Sequence, residues 1–442
     1  MNPRRRFLAA ALALAVLAGC GTQAQRPAAG LPAIVFVHGN GDTAALWLTS
    51  LWRFESNGYE RSLLHAIDLA NPLARSDDAV AQENRSSAAQ QREELAAKVA
   101  EVKRLTGSAR VALVGNSRGG NAIRNYVKNG GGAAHVSHVV LGGVPNHGVR
   151  ATDDGPGNEF NGNGPFLMQL NAGANEVVDG VAFLTLRSDR NDKYAQPDGR
   201  FIGQPGKPTN VTFEGPALKG AHNVVLPGLD HREVSYHPRA FAETFRFIAG
   251  AVPGRLDIAA EPVVTLDGKL SGHANRAPTN LPLAGAQVEV FEVSGSSGER
   301  MARVHAKAIG ADGLWGPLRG RSDAFYEFVI TAQGYPVTHI YRSPFARSSG
   351  IVHLRPAAGP PAEGAGAVSI TRPRGYFGHG RDTFTLDGQV PPGINEGVPG
   401  ASTGTLGFSE QPQRAIVAVF NRERIVARNW PAGHVVIAEF HD

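Results

Sequence analysis

Near residue 255 the hydrophobic period of this 442-residue chain changes, and the change separates two kinds of fold. Upstream, short apolar runs rich in β-branched residues alternate with longer segments of helical period. The runs at 33–37, 63–67, 111–114, 136–141, 181–186 and 222–225 read as strands. Residues 87–106, "SAAQQREELAAKVAEVKRLT", place apolar side chains at helical spacing with a charged opposite face and stop at Gly107. Further helices are expected at 118–129, stopped by Gly130–Gly132, and at 238–248. Strands alternating with helices predict a mainly parallel sheet flanked by helices on both faces, an α/β fold.

Downstream, "PVVTLDGKLSG", "AGAQVEVFEV", "FYEFVITAQG" and "SGIVHLRP" alternate with period two between Gly, Pro and Asn turns. No helical period is visible, so an all-β sandwich or barrel is expected over 255–355. "RPAAGPPAEGAGA", 355–367, reads as a linker or long loop, and a second β-rich module is expected over 367–442. Thr-Leu-Asp-Gly occurs at 265–268 and again at 385–388, which would fit related modules or chance recurrence. The length, with 54 glycines and 29 prolines, suits two or three turn-rich domains.

The chain opens "MNPRRRFLAAALALAVLAGCGT". A basic start, a short apolar core and small residues predict an export signal over 1–20, too short for a permanent bilayer-spanning helix. Leu17-Ala18-Gly19-Cys20 resembles a bacterial lipobox, which implies lipidation of Cys20 and a lipid anchor at the outer-membrane or periplasmic face, with plain secretion as the alternative. Arg4-Arg5-Arg6-Phe7-Leu8 resembles a twin-arginine signal, and ordinary Sec export fits as well. Removing the leader takes three arginines from a net charge of +5 and leaves about +2. With no basic run interleaved by aromatics elsewhere, nucleic acid is not an expected partner. Cys20 is the single cysteine, so no intramolecular disulfide can form and stability has to come from packing.

Gly115-Asn116-Ser117-Arg118-Gly119 satisfies G-x-S-x-G between an expected strand and an expected helix. A turn this sharp needs glycine two residues either side of the serine, because side chains there would collide with the flanking elements. The turn presents a hydroxyl at a helix N-terminus, where backbone amides stabilise an oxyanion. A serine hydroxyl attacks a carbonyl only with a base beside it, and that base needs a carboxylate to fix its tautomer. "IVFVHGNGD" follows the first strand and offers the Asn40 amide as one oxyanion donor, with the Arg118 amide as the other. His38 precedes the serine and is expected to shape that loop. For the base, "NVVLPGLDHREVSYHP" places His231 on a loop before the last helix, while His237 reads as the residue that starts the helix and His222 opens a strand. For the acid, "VAFLTLRSDRNDKYAQPDG" offers Asp189, Asp192 and Asp198, and spacing does not separate them.

Residues 33 to about 250 resemble the bacterial class 2 lipases, small α/β-hydrolases related to the Bacillus lipase. The likeness lies in "VFVHGNG", in "VVLGGVPNHG" at 139–148, in "PFLMQLNAG" at 165–173 and in "HREVSYHP". It implies an α/β-hydrolase domain over 30–253 and carboxylic ester hydrolysis through an acyl-enzyme, with no cofactor and no metal. The family's Asp-x-x-x-x-Pro pattern is met by Asp192 with Pro197, which implies a Ser117–His231–Asp192 triad. A hydrolase followed by β-modules also resembles certain long-chain lipases whose C-terminal domain contacts lipid; a spacer or surface-interaction role is the alternative. Lipid or other apolar esters are the implied substrates. A polyester depolymerase, an amidase, or a surface lipoprotein that keeps the fold without catalysis are the alternatives. Asn116 and Arg118 depart from the family pattern around the serine. A cationic Arg118 is expected to change acyl-pocket polarity and favour acidic or strongly polar substrates. Residues 146–180 are expected either to cover the site as a lid or to form a surface excursion packing its own apolar residues.

Overall fold

The computed structural model describes residues 30–359, 366–408 and 413–442. Five strands, β1 (Ile34–Val37), β2 (Leu64–Ile67), β3 (Val111–Asn116), β4 (Val136–Gly142) and β5 (Ala182–Arg187), join the edge strand His222–Val225 in one sheet. Its order is β2-β1-β3-β4-β5-edge, and every neighbouring pair is parallel. Parallel strands need crossovers, and α1 (Leu48–Ser56), α2 (Ala88–Thr106), α3 (Arg118–Asn129) and α4 (Pro165–Asn171) lie in those between the first five strands, while α5 (Glu233–Tyr236) and α6 (Pro238–Ala249) follow the edge strand. Sequence sets the ends of α2. Ser87 and Gln90 form a reciprocal capping box, and Gly107 ends the helix in the left-handed region.

The sheet is covered on both faces, so its strands are apolar without alternation. Val35, Val37 and Leu113 pack against Leu95, Val99 and Ile123 of α2 and α3. Ile34, Phe36 and Val114 face Trp47, Phe54 and Phe241 on the other side. This is the α/β-hydrolase architecture, and it ends before an all-β region.

In that region a seven-stranded sheet runs Arg300–Ala308, Gln287–Val293, Phe325–Thr331, Val337–Arg342, His434–Glu439, Ala367–Thr371, Thr403–Gly407. Val337–Arg342 pairs in parallel with His434–Glu439 over six residues. Strands from before and after the 355–367 linker therefore share one sheet; the linker interrupts the sequence and not the hydrogen-bonded ladder. A three-stranded sheet, Phe384–Leu386 with Ala415–Phe420 and Glu423–Arg428, belongs to the same end of the chain. The two Thr-Leu-Asp-Gly copies overlap strands of different sheets, Val263–Leu266 and Phe384–Leu386.

The two regions are joined by an apolar seam. Helix α1 buries Phe54 in the hydrolase core, while Leu48 and Trp52 pack with Val264, Leu266 and Phe345 of the all-β region. Trp52 Nε1 donates to Ser348 O at 3.1 Å. Among the described residues no helix is long and apolar enough to cross a membrane. Arg4–Arg6 and Cys20 lie outside the described residues.

Candidate active site

Ser117 stands where β3 turns into α3, with φ 51° and ψ −126°, a conformation costly for any residue with a side chain. The chain holds it by close approach on both sides. A Cβ on Gly119 would sit 2.5 Å from His38 O and 2.6 Å from Val37 O. One on Gly115 would sit 2.8 Å from the Gly120 amide nitrogen. The Ser117 amide donates to Gly142 O at 3.0 Å, which ties the turn to β4.

The serine opens into a cavity of about 270 Å³ lined, among others, by Asn40, Asn116, Tyr194, Phe201 and His231. Asn40 follows β1, and its Oδ1 accepts from the Ala74 amide at 2.8 Å. Arg118 is the first residue of α3, where a backbone amide has no intrahelical acceptor.

Of the three candidate aspartates, Asp192 alone meets the histidine. His231 Nδ1 donates to Asp192 Oδ1 at 2.8 Å, and both side chains are buried. The carboxylate places the ring proton on Nδ1. That leaves the lone pair on Nε2, which is buried and has no hydrogen-bond partner. Asp192 Oδ1 also accepts from the Tyr194 amide at 2.8 Å, and the Tyr194 ring stands edge-on to the imidazole with centroids 4.7 Å apart. Asp189 is spent on the Arg190 and Gly228 amides, which with the Ser188 hydroxyl hold its carboxyl below the usual range against the opposing effect of burial. Asp198 accepts from the Arg200 amide.

The other histidines have structural duties. His38 donates from Nδ1 to Gly39 O and accepts the Leu69 amide at Nε2, and burial keeps its ring neutral by lowering its pKa. His237 caps α6 by accepting the Arg239 amide at 3.1 Å. Burial, with Arg53 and Arg239 nearby, pushes its pKa down to about 4. His222 opens the edge strand.

The two residues beside the serine do different things. Asn116 Nδ2 reaches Ser235 Oγ at 2.9 Å, Gly142 O at 3.1 Å and His231 O at 3.3 Å, so it ties the serine turn to the histidine loop. Arg118 corrects the sequence expectation. Its side chain is 1% exposed, points away from the cavity, and pairs with Glu159 through both Nε and Nη2. Its remaining donors go to Pro72 O, Ser86 Oγ and Ser86 O. A guanidinium so consumed is structural, and it does not colour the acyl pocket.

Within 146–180, Val149, Arg150, Asn158 and Phe160 contribute to the cavity wall, while Leu167 and Leu170 of α4 are buried. Sequence reasoning missed Tyr194 and Tyr376 as cavity residues. Tyr194 lies two positions after Asp192 and was within reach of the motif; nothing local marks Tyr376, which comes from the all-β region.

Residues 32–152 match the family model for class 2 lipases, and residues 264–358 match the model for lipase C-terminal domains. Comparison with curated proteins gave no match. Among solved structures, the mature form of Bacillus licheniformis lipase BlEst2 is 19% identical, with 51% of this chain and 94% of that one covered and a TM-score of 0.37. Its propeptide form is 13% identical over 69% of this chain and 90% of that one, TM-score 0.38. Aspergillus fumigatus lipase B is 15% identical over 52% and 54%, TM-score 0.37. Residues 32–152, which carry the serine turn and the loop after β1, thus match the class 2 lipases, residues 264–358 match the lipase C-terminal domains, and the two matches support a hydrolase of the lipase and esterase type.

Proposed function

We propose that the chain is a serine carboxylic ester hydrolase acting through an acyl-enzyme. Ser117 Oγ attacks the ester carbonyl while His231 Nε2 takes its proton. Asp192 holds the imidazole in the tautomer this requires and stabilises the imidazolium that forms. The oxyanion is received by the Asn40 and Arg118 amides, a contribution of about 3–4 kcal/mol per donor in comparable sites. The alcohol leaves with the proton from Nε2, and water repeats the attack on the acyl-serine with His231 again as base. One observation carries the reading: His231, held by its 2.8 Å bond to Asp192, lines one cavity with Ser117, and the serine sits in its strained turn.

Apolar esters are the proposed substrates, with Phe160, Phe201 and Ile202 among the lining residues that would receive the acyl chain. At about 270 Å³ the cavity lies just below the volumes of roughly 300–1,000 Å³ usual for sites that enclose a drug-sized ligand, which favours a short or medium acyl group. A fluorophosphonate probe should label the wild type and not Ser117→Ala, and hydrolysis should fall on the order of 10⁶-fold in that variant. A panel of esters graded by chain length, with amide and polyester arms, then ranks the substrates. An unlabelled wild type would overturn the proposal in favour of a binding protein.

We also propose export and a lipid anchor at Cys20, supported by the basic leader and the Leu-Ala-Gly-Cys sequence. Palmitate incorporation in a bacterial host, lost in Cys20→Ser, is the expected result.

A further inference from the structure

The loop that carries His231 has an unusual charge problem. Asp230 and Glu233 flank the histidine, and both are buried, at 0% and 4% exposure. Glu233 also braces the loop itself, with Oε2 accepting the Asp230 amide at 2.9 Å. Burial and the neighbouring Asp230 push the Glu233 carboxyl upward, so two adjacent carboxylates here need cations to stay ionised.

Those cations come from outside the hydrolase region. Arg372 Nη2 donates to Glu233 Oε1 at 2.5 Å, and Arg381 Nη1 donates to Glu233 Oε2 at 2.7 Å. Arg381 Nη2 reaches Asp230 Oδ2 at 3.3 Å and Asp382 Oδ2 at 2.9 Å. Between these arginines lies Tyr376. Its amide donates to Asp230 Oδ2 at 2.7 Å, and its carbonyl accepts from Arg372 Nη1 and Arg381 Nη2 at 2.8 and 2.7 Å. Its ring, 4% exposed, lines the serine cavity with Lys193 Nζ 4.0 Å and Arg232 Cζ 5.5 Å from its centroid. Lys193 and Arg232 directly follow Asp192 and His231 in the chain. Arg232 itself donates to Pro373 O at 2.5 Å and to Asp42 Oδ1 at 2.7 Å.

We propose that residues 372–382 of the all-β region are part of the active site: Arg372 and Arg381 are positioning residues for the His231 loop, and Tyr376 is a wall of the substrate cavity that limits acyl size. The segment lies outside both family-matched stretches, 32–152 and 264–358. The inference rests on the proposed triad for its kinetic consequences. The physical link is short. Glu233 is two residues from His231, so a shift of the Glu233 carboxylate moves the imidazole, and a displacement of about 1 Å at reacting atoms costs on the order of 10²-fold in rate. Tyr376 is fixed by its own backbone and by two cations, so its ring is a rigid boundary.

The test uses the full chain with Arg372→Met, Arg381→Gln, Arg381→Lys and Tyr376→Ala. Arg372 is buried, so its variant is paired with Arg381→Gln, whose side chain is 24% exposed and tolerates the change better. Thermal melts identify the variants that fold. For a short-chain p-nitrophenyl ester, Arg381→Gln should lower kcat roughly tenfold or more with KM nearly unchanged, and Arg381→Lys should recover most of it. Tyr376→Ala should shift the preferred acyl chain to greater length. A readout independent of activity is the downfield proton resonance of the His231 Nδ1–H···Asp192 bond, expected to broaden or move in the arginine variants. Folded arginine variants with wild-type kcat and an unmoved resonance would overturn the positioning role, and an unchanged chain-length profile in Tyr376→Ala would overturn the wall. A wild type that neither hydrolyses esters nor reacts with the fluorophosphonate would sink the proposed triad, while the resonance would still decide whether the arginines hold the histidine loop.

Discussion

The serine turn and the histidine loop face each other across one cavity, yet they are held in opposite ways. Ser117 is fixed within the hydrolase region: by the strand before it, the helix after it, and glycines that let His38 O and Val37 O approach from the end of β1. His231 is fixed by both regions. Asp192 lies 39 residues away and Arg372 meets Glu233 across 139. Fixing the serine turn needs only the hydrolase sheet to assemble; fixing the histidine loop also needs the two folded regions docked in register. The hydrolase sheet can therefore carry its serine turn as a self-contained unit, while its histidine loop depends on the docked region.

Perturbing the dock should have the largest effect. Trp52 is 2% exposed and spans the seam, so Trp52→Ala should cost about 3–5 kcal/mol, read as a fall in the denaturant midpoint. If the histidine side alone depends on docking, the same variant should loosen the His231–Asp192 bond and leave the Ser117 turn protected from amide exchange. Next comes Arg118→Leu, which strands the buried Glu159 carboxylate. Burial already raises that carboxyl's pKa, so it can neutralise, and about 3 kcal/mol is expected, the low end of the range for a broken buried pair. The ratio of anionic to neutral ester hydrolysis should not change, in contrast with the expectation from sequence.

On the serine side, Gly119→Ala places a Cβ against two backbone oxygens that cannot swing away. A loss of about 2–3 kcal/mol is expected, the upper part of the overpacking range, together with a slower fluorophosphonate reaction. A further effect concerns pH. His237 has a folded pKa of about 4 against an ordinary 6.5, so between those values the unfolded chain binds a proton that the folded chain does not. Its stabilising contribution is complete above pH 6.5 and is lost as pH falls toward 4. His237→Asn keeps a side chain able to cap α6, and should flatten the stability profile in that window.

The parallel sheet was legible because burial on both faces leaves apolar runs at 33–37, 111–114 and 136–141, and because Gly107 and Gly130–Gly132 end helices where expected. The Ser117 turn was legible because its steric demands fall on neighbours two residues away. Asp192 could not be told from Asp189 and Asp198 by spacing, since all three come after one strand; the resemblance to the class 2 lipases singled it out through Pro197, and the contact with the imidazole is made by Asp192. Arg118 misled because sequence adjacency to Ser117 says nothing about direction. At the start of a helix successive side chains leave about 100° apart, and this one leaves toward Glu159.

By itself the sequence determined the hydrolase architecture, the glycine-flanked serine turn, the loop after the first strand and the all-β character of the chain beyond residue 255, because each of these is marked by periodicity or by residue types at close spacing. The tertiary structure decided the rest: which aspartate meets His231, where the Arg118 charge goes, how the strands either side of the 355–367 linker share a sheet, and that Arg372, Tyr376 and Arg381 reach the site. These depend on pairs of groups far apart in the chain, and their energies arise only once folding has brought the charges together and removed the water between them.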